Sequence, residues 1–131
     1  MEKYRSIPKE LNEIAAIIVH SAYVVHNSFG PGLLERVYEV CMDHELKKAG
    51  LFTQRQLTLP IYYDGIEFKE ALRLDILVER KVIIEIKAVD LVNPVWEAQV
   101  LSYLKLTGKR LGFLINFNVS KIKDGIKRFV V

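Results

Sequence analysis

The stretch Leu72-Arg-Leu-Asp-Ile-Leu-Val78, then Glu79-Arg-Lys81, then Val82-Ile-Ile-Glu-Ile-Lys-Ala88 decides how this chain folds. Both arms have a period of two, the mark of extended strands, and Glu79-Arg-Lys81 reads as the tight turn between them. Even-numbered positions in each arm are apolar. The odd positions carry Arg73, Asp75 and Leu77 in the first arm and Ile83, Glu85 and Lys87 in the second. A solvated face does not usually alternate Leu or Ile with such charges, and a buried face does not carry them unpaired. A half-buried cleft satisfies both observations. Directly opposed residues on neighbouring strands share a face. A two-residue loop would set Asp75 against Ile84, mixing a charged face with an apolar one. A three-residue loop over 79–81 sets Asp75 against Glu85 and Arg73 against Lys87, and this register is the one predicted.

Working outward, the apolar period changes to that of a helix upstream. Leu11, Ile14, Ile17, Ile18, Ala22 and Val25 predict a helix over residues 8–27, with Pro8 in its first turn and a break at Asn27-Ser-Phe-Gly-Pro-Gly32. Leu33, Leu34, Val37, Tyr38, Cys41, Met42 and Leu46 predict a second helix that stops at Gly50. A strand over residues 56–63 follows, with Pro60 marking an edge or bulge, and Asp64-Gly65 turns into a longer strand over 66–78. Downstream, Asn93 and Pro94 open a helix that ends at Gly108, and residues 111–117 form a buried strand. A turn or short helix and a terminal strand over 126–131 close the chain. The order α-α-β-β-β-α-β predicts an α/β fold, a mixed central sheet flanked by helices, in one domain spanning residues 1–131.

Composition narrows the function classes. Half of the 131 residues are apolar, enough for one core. The net charge of +3 is small, but residues 101–131 hold 7 basic and 1 acidic side chains against 12 and 15 in residues 1–100. The basic excess is therefore concentrated at one end. The longest near-apolar run, residues 14–25, is too short to cross a bilayer, and the N-terminus lacks the apolar segment of a secretion signal. A single cysteine, Cys41, excludes an internal disulfide and a cysteine-rich zinc site. The expectation is a soluble cytoplasmic domain.

The cleft residues suggest chemistry. Adjacent carboxylates repel, and a divalent cation resolves that repulsion. Mg²⁺ prefers oxygen ligands and often uses only one or two carboxylates. Lys87, two residues beyond Glu85, points into the same space and suits a metal-activated water or the charge of a phosphoryl transition state. Asp75, Glu85 and Lys87 thus read as a phosphodiester-hydrolysis site. Glu-x-Lys on a strand alone is more commonly a solvent-face ion pair. Gln99 and Tyr103, four apart on one helix face, and Glu35, three before Tyr38, are further candidates. Each also reads as an ordinary helix residue, Glu35 as a first-turn acid favoured by the helix dipole. Lys121, Lys123, Lys127 and Arg128 suit phosphate contact, or equally a solvated basic edge guarding a terminal strand. Tyr62, Tyr63 and Phe68 could stack on bases, although strand aromatics are more often core. His20, His26 and His44 form no helical metal pair, and Cys41 reads as a core thiol.

Gly32-Leu-Leu-Glu35-Arg-Val-Tyr38 resembles the Gly-x-x-Glu-x-x-Tyr signature of the bacterial GxxExxY proteins, of the PD-(D/E)XK nuclease superfamily. The likeness continues through residues 73–78, 84–89, 97–105, 112–119 and 123–128. It implies a restriction-endonuclease-like αβββαβ core. It implies that Asp75 and Glu85 bind Mg²⁺ (or Mn²⁺), with the Ile86 backbone carbonyl as a further ligand and Glu35 reaching the metal region. Lys87 would be the catalytic lysine. Gln99 and Tyr103 resemble the Gln-x-x-x-Tyr motif that supports the site in exonuclease-type relatives. Many relatives carry His where this chain has Trp96, a residue that neither binds a metal nor acts as a base. The expected activity is metal-dependent hydrolysis of nucleic acid, DNA first, with no membrane partner. The alternatives are a nuclease-fold accessory module working through a partner protein, and a small homodimeric junction-resolving nuclease.

Overall fold

The computed structural model describes residues 7–131. Helix α1 spans Lys9–Phe29 and α2 spans Glu35–Lys48. Three strands follow, β1 (Thr53–Tyr63), β2 (Ile66–Val78) and β3 (Val82–Lys87). Helix α3 (Pro94–Thr107) leads to β4 (Leu111–Asn116), and a 3₁₀ turn over Ile122–Gly125 leads to β5 (Ile126–Val130). The strands lie in the order β1-β2-β3-β4-β5. Only β3 and β4 run parallel, joined through α3 as a crossover; the other neighbours are antiparallel. The predicted α/β sheet with flanking helices is therefore the one observed.

The helix ends differ modestly from the sequence reading. Pro8 caps α1 rather than entering it, and the helix runs two residues past Asn27, to Phe29, before Gly30. Apolar periodicity ends earlier than backbone hydrogen bonding, so it under-reads this terminus. Conversely, α2 begins at Glu35 rather than Leu33, because Leu34 is extended (φ −69°, ψ 144°). The start of α3 is as predicted: the Asn93 side chain accepts the Val95 N–H at 2.9 Å, Pro94 sits in the first turn, and Gly108 closes the helix with φ 70°.

The sheet separates two cores. One face packs against α1 and α2 through Ile14, Ile18, Val25, Tyr38, Met42 and Leu46. The other packs against α3 through Val100 and Leu104, meeting Leu74, Leu77, Ile83 and Leu114. Leu77 and Ile83, odd-numbered, therefore face α3, while Ile76, Val78, Val82 and Ile84 face α1 and α2. Burying each such side chain stabilises the fold by about 1.5–3 kcal/mol. Gly112 sets the α3 distance: a Cβ there would lie 3.1 Å from Val100 Cγ1 and 3.4 Å from Leu104 Cδ1.

The register agrees with the three-residue loop. Ile76 pairs with Ile84, Leu77 with Ile83 and Val78 with Val82. The ladder stops there, so neither Asp75 and Glu85 nor Arg73 and Lys87 form the expected backbone pair. The expected alternation also fails at one place. Leu74, even-numbered, packs on the α3 side with Leu57, whereas Ile76 lies on the other. The phase changes between them, at Asp75, beside Gln56, which holds a left-handed φ of 50° in β1. The β1–β2 register is unbroken there, with Arg55 opposite Ile76 and Leu57 opposite Leu74, so the change of face accompanies a left-handed residue and not an inserted one. Pro60 marks the register shift between β1 and β2, between Leu59 and Ile61. Beyond it the β1–β2 ribbon projects from the sheet, turning at Asp64-Gly65 with φ positive at both residues. Tyr62, Tyr63 and Phe68 are not core residues: they are 67%, 69% and 48% exposed on this ribbon.

Candidate active site

The site forms where β2 and β3 separate. Past the Ile76–Ile84 pair, side chains replace the backbone ladder: the Asp75 N–H donates to Glu85 Oε2 at 3.0 Å, and the Ile86 N–H donates to Asp75 Oδ2 at 2.8 Å. Each carboxylate thus spends one oxygen on the opposing strand and is oriented by it. Ile86, the residue expected to offer a carbonyl, lies against Asp75 by the same contact.

This arrangement is electrostatically costly. Glu85 is 5% exposed, and burial first, then the neighbouring Asp75 charge, pushes its carboxyl up to about 8. Burial also raises the Asp75 carboxyl, opposed by its Ile86 hydrogen bond and by Lys87. The pair needs a proton or a cation. Two hard oxygen donors braced side by side match a divalent ion that favours oxygen. Asp75 and Glu85 therefore fit the group that the sequence suggested.

The Lys87 ammonium reaches neither carboxylate as an ion pair among the described residues. It lies 4.4 Å from the centre of the Trp96 ring. Glu35 stands exposed at the first turn of α2, its carboxyl raised by partial desolvation and lowered by Lys87. Among the described residues no group of three or more His, Cys, Asp or Glu side chains forms a ready metal cage, and Glu35 feels the charges of Lys87, Asp75 and Glu39. Tyr103 is half-buried on α3, its hydroxyl raised by burial and then by the Glu85 and Asp75 charges. Gln99, half-buried one turn earlier, makes no side-chain hydrogen bond among the described residues.

Sequence reasoning missed Glu39. It is 4% exposed, bound through Oε2 by Arg55 Nη2 at 3.0 Å and Nε at 3.1 Å, and through both oxygens by Gln56 Nε2 at 2.8 and 3.0 Å. The same Gln56 nitrogen contacts Asp75 Oδ1 at 3.5 Å. Glu39 is thus linked to the site through Gln56 of β1, and its charge raises Asp75, Glu85 and Glu35. The available signal was its position four residues after Glu35, on the same helix face.

Two asparagines frame the site. Asn116 accepts the Val89 N–H at 3.1 Å and donates to the Val89 carbonyl at 2.9 Å, pinning the segment after β3. Asn118 accepts the Gly32 N–H at 3.1 Å and donates to Asp90 at 2.7 Å, joining that segment to the turn before α2. Tyr38 holds the same turn from inside: its hydroxyl donates to the Gly30 carbonyl at 2.6 Å and accepts the Leu33 N–H at 3.1 Å, while its ring stacks on Phe117 at 4.7 Å. Glu35 and Lys87 are both anchored by this frame.

The basic C-terminal residues do not form one patch. Lys127 pairs with Glu97 on the α3 side at 2.9 Å, and Arg128 bonds Asn12 of α1 at 3.0 Å. Lys121 and Lys123 are exposed around the 3₁₀ turn. Cys41 packs at the margin of the first core, and buried His26 bonds the Val119 carbonyl at 2.8 Å.

A family model for the PD-(D/E)XK nuclease superfamily matches residues 12–129. The chain belongs to the PD-(D/E)XK nuclease superfamily. Proteins of this superfamily generally use divalent metals and act on nucleic acid. No curated protein and no solved structure matches the chain. No helix among the described residues is long and apolar enough to cross a membrane.

Proposed function

We propose that this chain is a metal-dependent nuclease that hydrolyses phosphodiester bonds in nucleic acid, DNA first, with Mg²⁺ or Mn²⁺. The observation that carries the reading is the cross-braced Asp75–Glu85 pair, whose buried charge requires compensation and beside which Lys87 stands. Asp75, Glu85 and the Ile86 carbonyl would hold the ion. When bound, it polarises the scissile phosphate and acidifies water. Lys87 supplies a cation for the negative charge that grows on the phosphoryl oxygens. Tyr103 offers a hydroxyl from α3, and Glu35 orients water or cation at the rim. Lys121 and Lys123 remain available for the phosphate backbone.

The test is incubation of purified protein with single-stranded, duplex and branched DNA, with RNA as a further arm, in Mg²⁺ or Mn²⁺. Cleavage by wild type and its loss in Lys87→Ala support the reading. Identical behaviour of the two proteins on every substrate refutes catalysis at this site. A second reading, an accessory module that binds nucleic acid with a partner protein, draws on the unengaged side chain of Gln99. Failure of Asp75 and Glu85 to bind Mg²⁺ or Mn²⁺ would favour it.

A further inference from the structure

Lys87 rests in an unexpected place. Its carbonyl accepts the Phe117 N–H at 2.9 Å, so its main chain is fixed at the end of β3. Its ammonium has Glu35, Asp75 and Glu85 close enough to feel its charge, yet it pairs with none of them and lies over Trp96. A flexible ammonium beside carboxylates in a half-buried site would ordinarily close onto one, because Coulomb attraction strengthens as water is excluded. An indole face is the strongest aromatic acceptor of a cation and supplies a competing attraction. The Trp96 main chain is itself fixed. Its backbone N–H donates to the Asn93 carbonyl at 2.9 Å, within a first turn capped by the Asn93 side chain. Its apolar body packs on the core beneath α3.

We propose that Trp96 is a positioning residue that holds the Lys87 ammonium off the Asp75–Glu85 pair, keeping those carboxylates open to a divalent cation instead of closed in an internal ion pair. The proposal rests on the metal-dependent reading above. Without the ring, Lys87 swings onto the carboxylates and competes with the ion. Without the lysine, the ring has nothing to hold, and its loss no longer matters. The effect of Trp96 on metal binding therefore runs entirely through Lys87.

Calorimetric titration with Mn²⁺ tests this on wild type, Trp96→Phe, Trp96→Leu, Lys87→Met and the double variant Trp96→Leu/Lys87→Met, each first shown to be folded by circular dichroism. Trp96→Leu should bind Mn²⁺ about 3- to 10-fold more weakly than wild type, the range of a partly desolvated cation–π contact. Trp96→Phe should fall between them. The double variant should match Lys87→Met. Unchanged affinity in Trp96→Leu, or a double variant weakened relative to Lys87→Met as much as Trp96→Leu is relative to wild type, overturns the proposal. Trp96 is the only tryptophan, so its emission reports the contact directly. Lys87→Met should alter that emission in metal-free protein, and an unaltered spectrum also overturns the proposal. Absence of Mn²⁺ binding by wild type would refute the metal-dependent reading and this proposal together. Normal wild-type binding with a neutral Trp96→Leu refutes this proposal alone.

Discussion

Replacing Glu85 by Gln should stabilise the metal-free protein, increasingly so as pH rises. Glu85 is buried beside Asp75, and its carboxyl is pushed from 4.5 up to about 8. The folded state therefore binds a proton that the unfolded chain releases near 4.5. Stability falls with pH wherever the folded state holds more protons, so the wild type loses it between about pH 4.5 and 8. At about 1.4 kcal/mol per pH unit the full interval gives a ceiling of about 5 kcal/mol. Relaxation of the site and sharing of one proton with Asp75 reduce this to about 2–4 kcal/mol. Gln keeps the size and can still accept the Asp75 N–H, but has no charge to bury. The assay is urea unfolding in EDTA from pH 5 to 9 for both proteins. The variant should be nearly level with wild type at pH 5 and clearly more stable at pH 8. Millimolar Mg²⁺ should narrow the gap by stabilising wild type through mass action. A difference that does not change with pH, or a variant less stable at pH 8, would refute the charge-burial argument.

Four further outcomes follow from the same geometry. Asn116→Ala should cost about 2–4 kcal/mol in urea unfolding, because it strands the Val89 N–H and carbonyl together with the Asn118 N–H that also donates to Asn116. Tyr38→Phe should keep the stack on Phe117 but lose both hydroxyl bonds, lowering stability by about 1–2 kcal/mol; a thermal melt equal to wild type would contradict that role. Removing divalent ions with EDTA should abolish DNA cleavage and Mn²⁺ should restore it. Lys87→Ala, by contrast, should lose about 100-fold or more in cleavage rate in either metal, measured on a labelled oligonucleotide.

Most of the architecture was legible in the chain itself. Period-two runs at residues 72–78 and 82–88, the Asn93–Pro94 start and the Asp64-Gly65 turn are local signals, set by backbone sterics and side-chain alternation within a few residues. They yielded the element order and the loop that places Asp75 beside Glu85. Three features were beyond their reach. The phase change at Asp75 lies opposite a left-handed Gln56 in the neighbouring strand. The carboxylates bond the opposing backbone rather than each other's ladder. Lys127 and Arg128, adjacent in sequence, engage opposite faces of the sheet, so a run of charge did not become a patch.

The sequence by itself therefore determined the fold class and the residue types gathered at the end of β2 and β3, because strand alternation and helix periodicity are properties of contiguous residues. Tertiary structure decided what those residues touch. Glu39 enters the site through Gln56, Lys87 turns to Trp96, and Asn116 and Asn118 tie the Val89–Asp90 segment and the turn before α2 into one frame. The physical reason is that hydrogen bonds, desolvation and cation–π attraction act across space within a few ångströms, between groups as many as 116 positions apart in the chain.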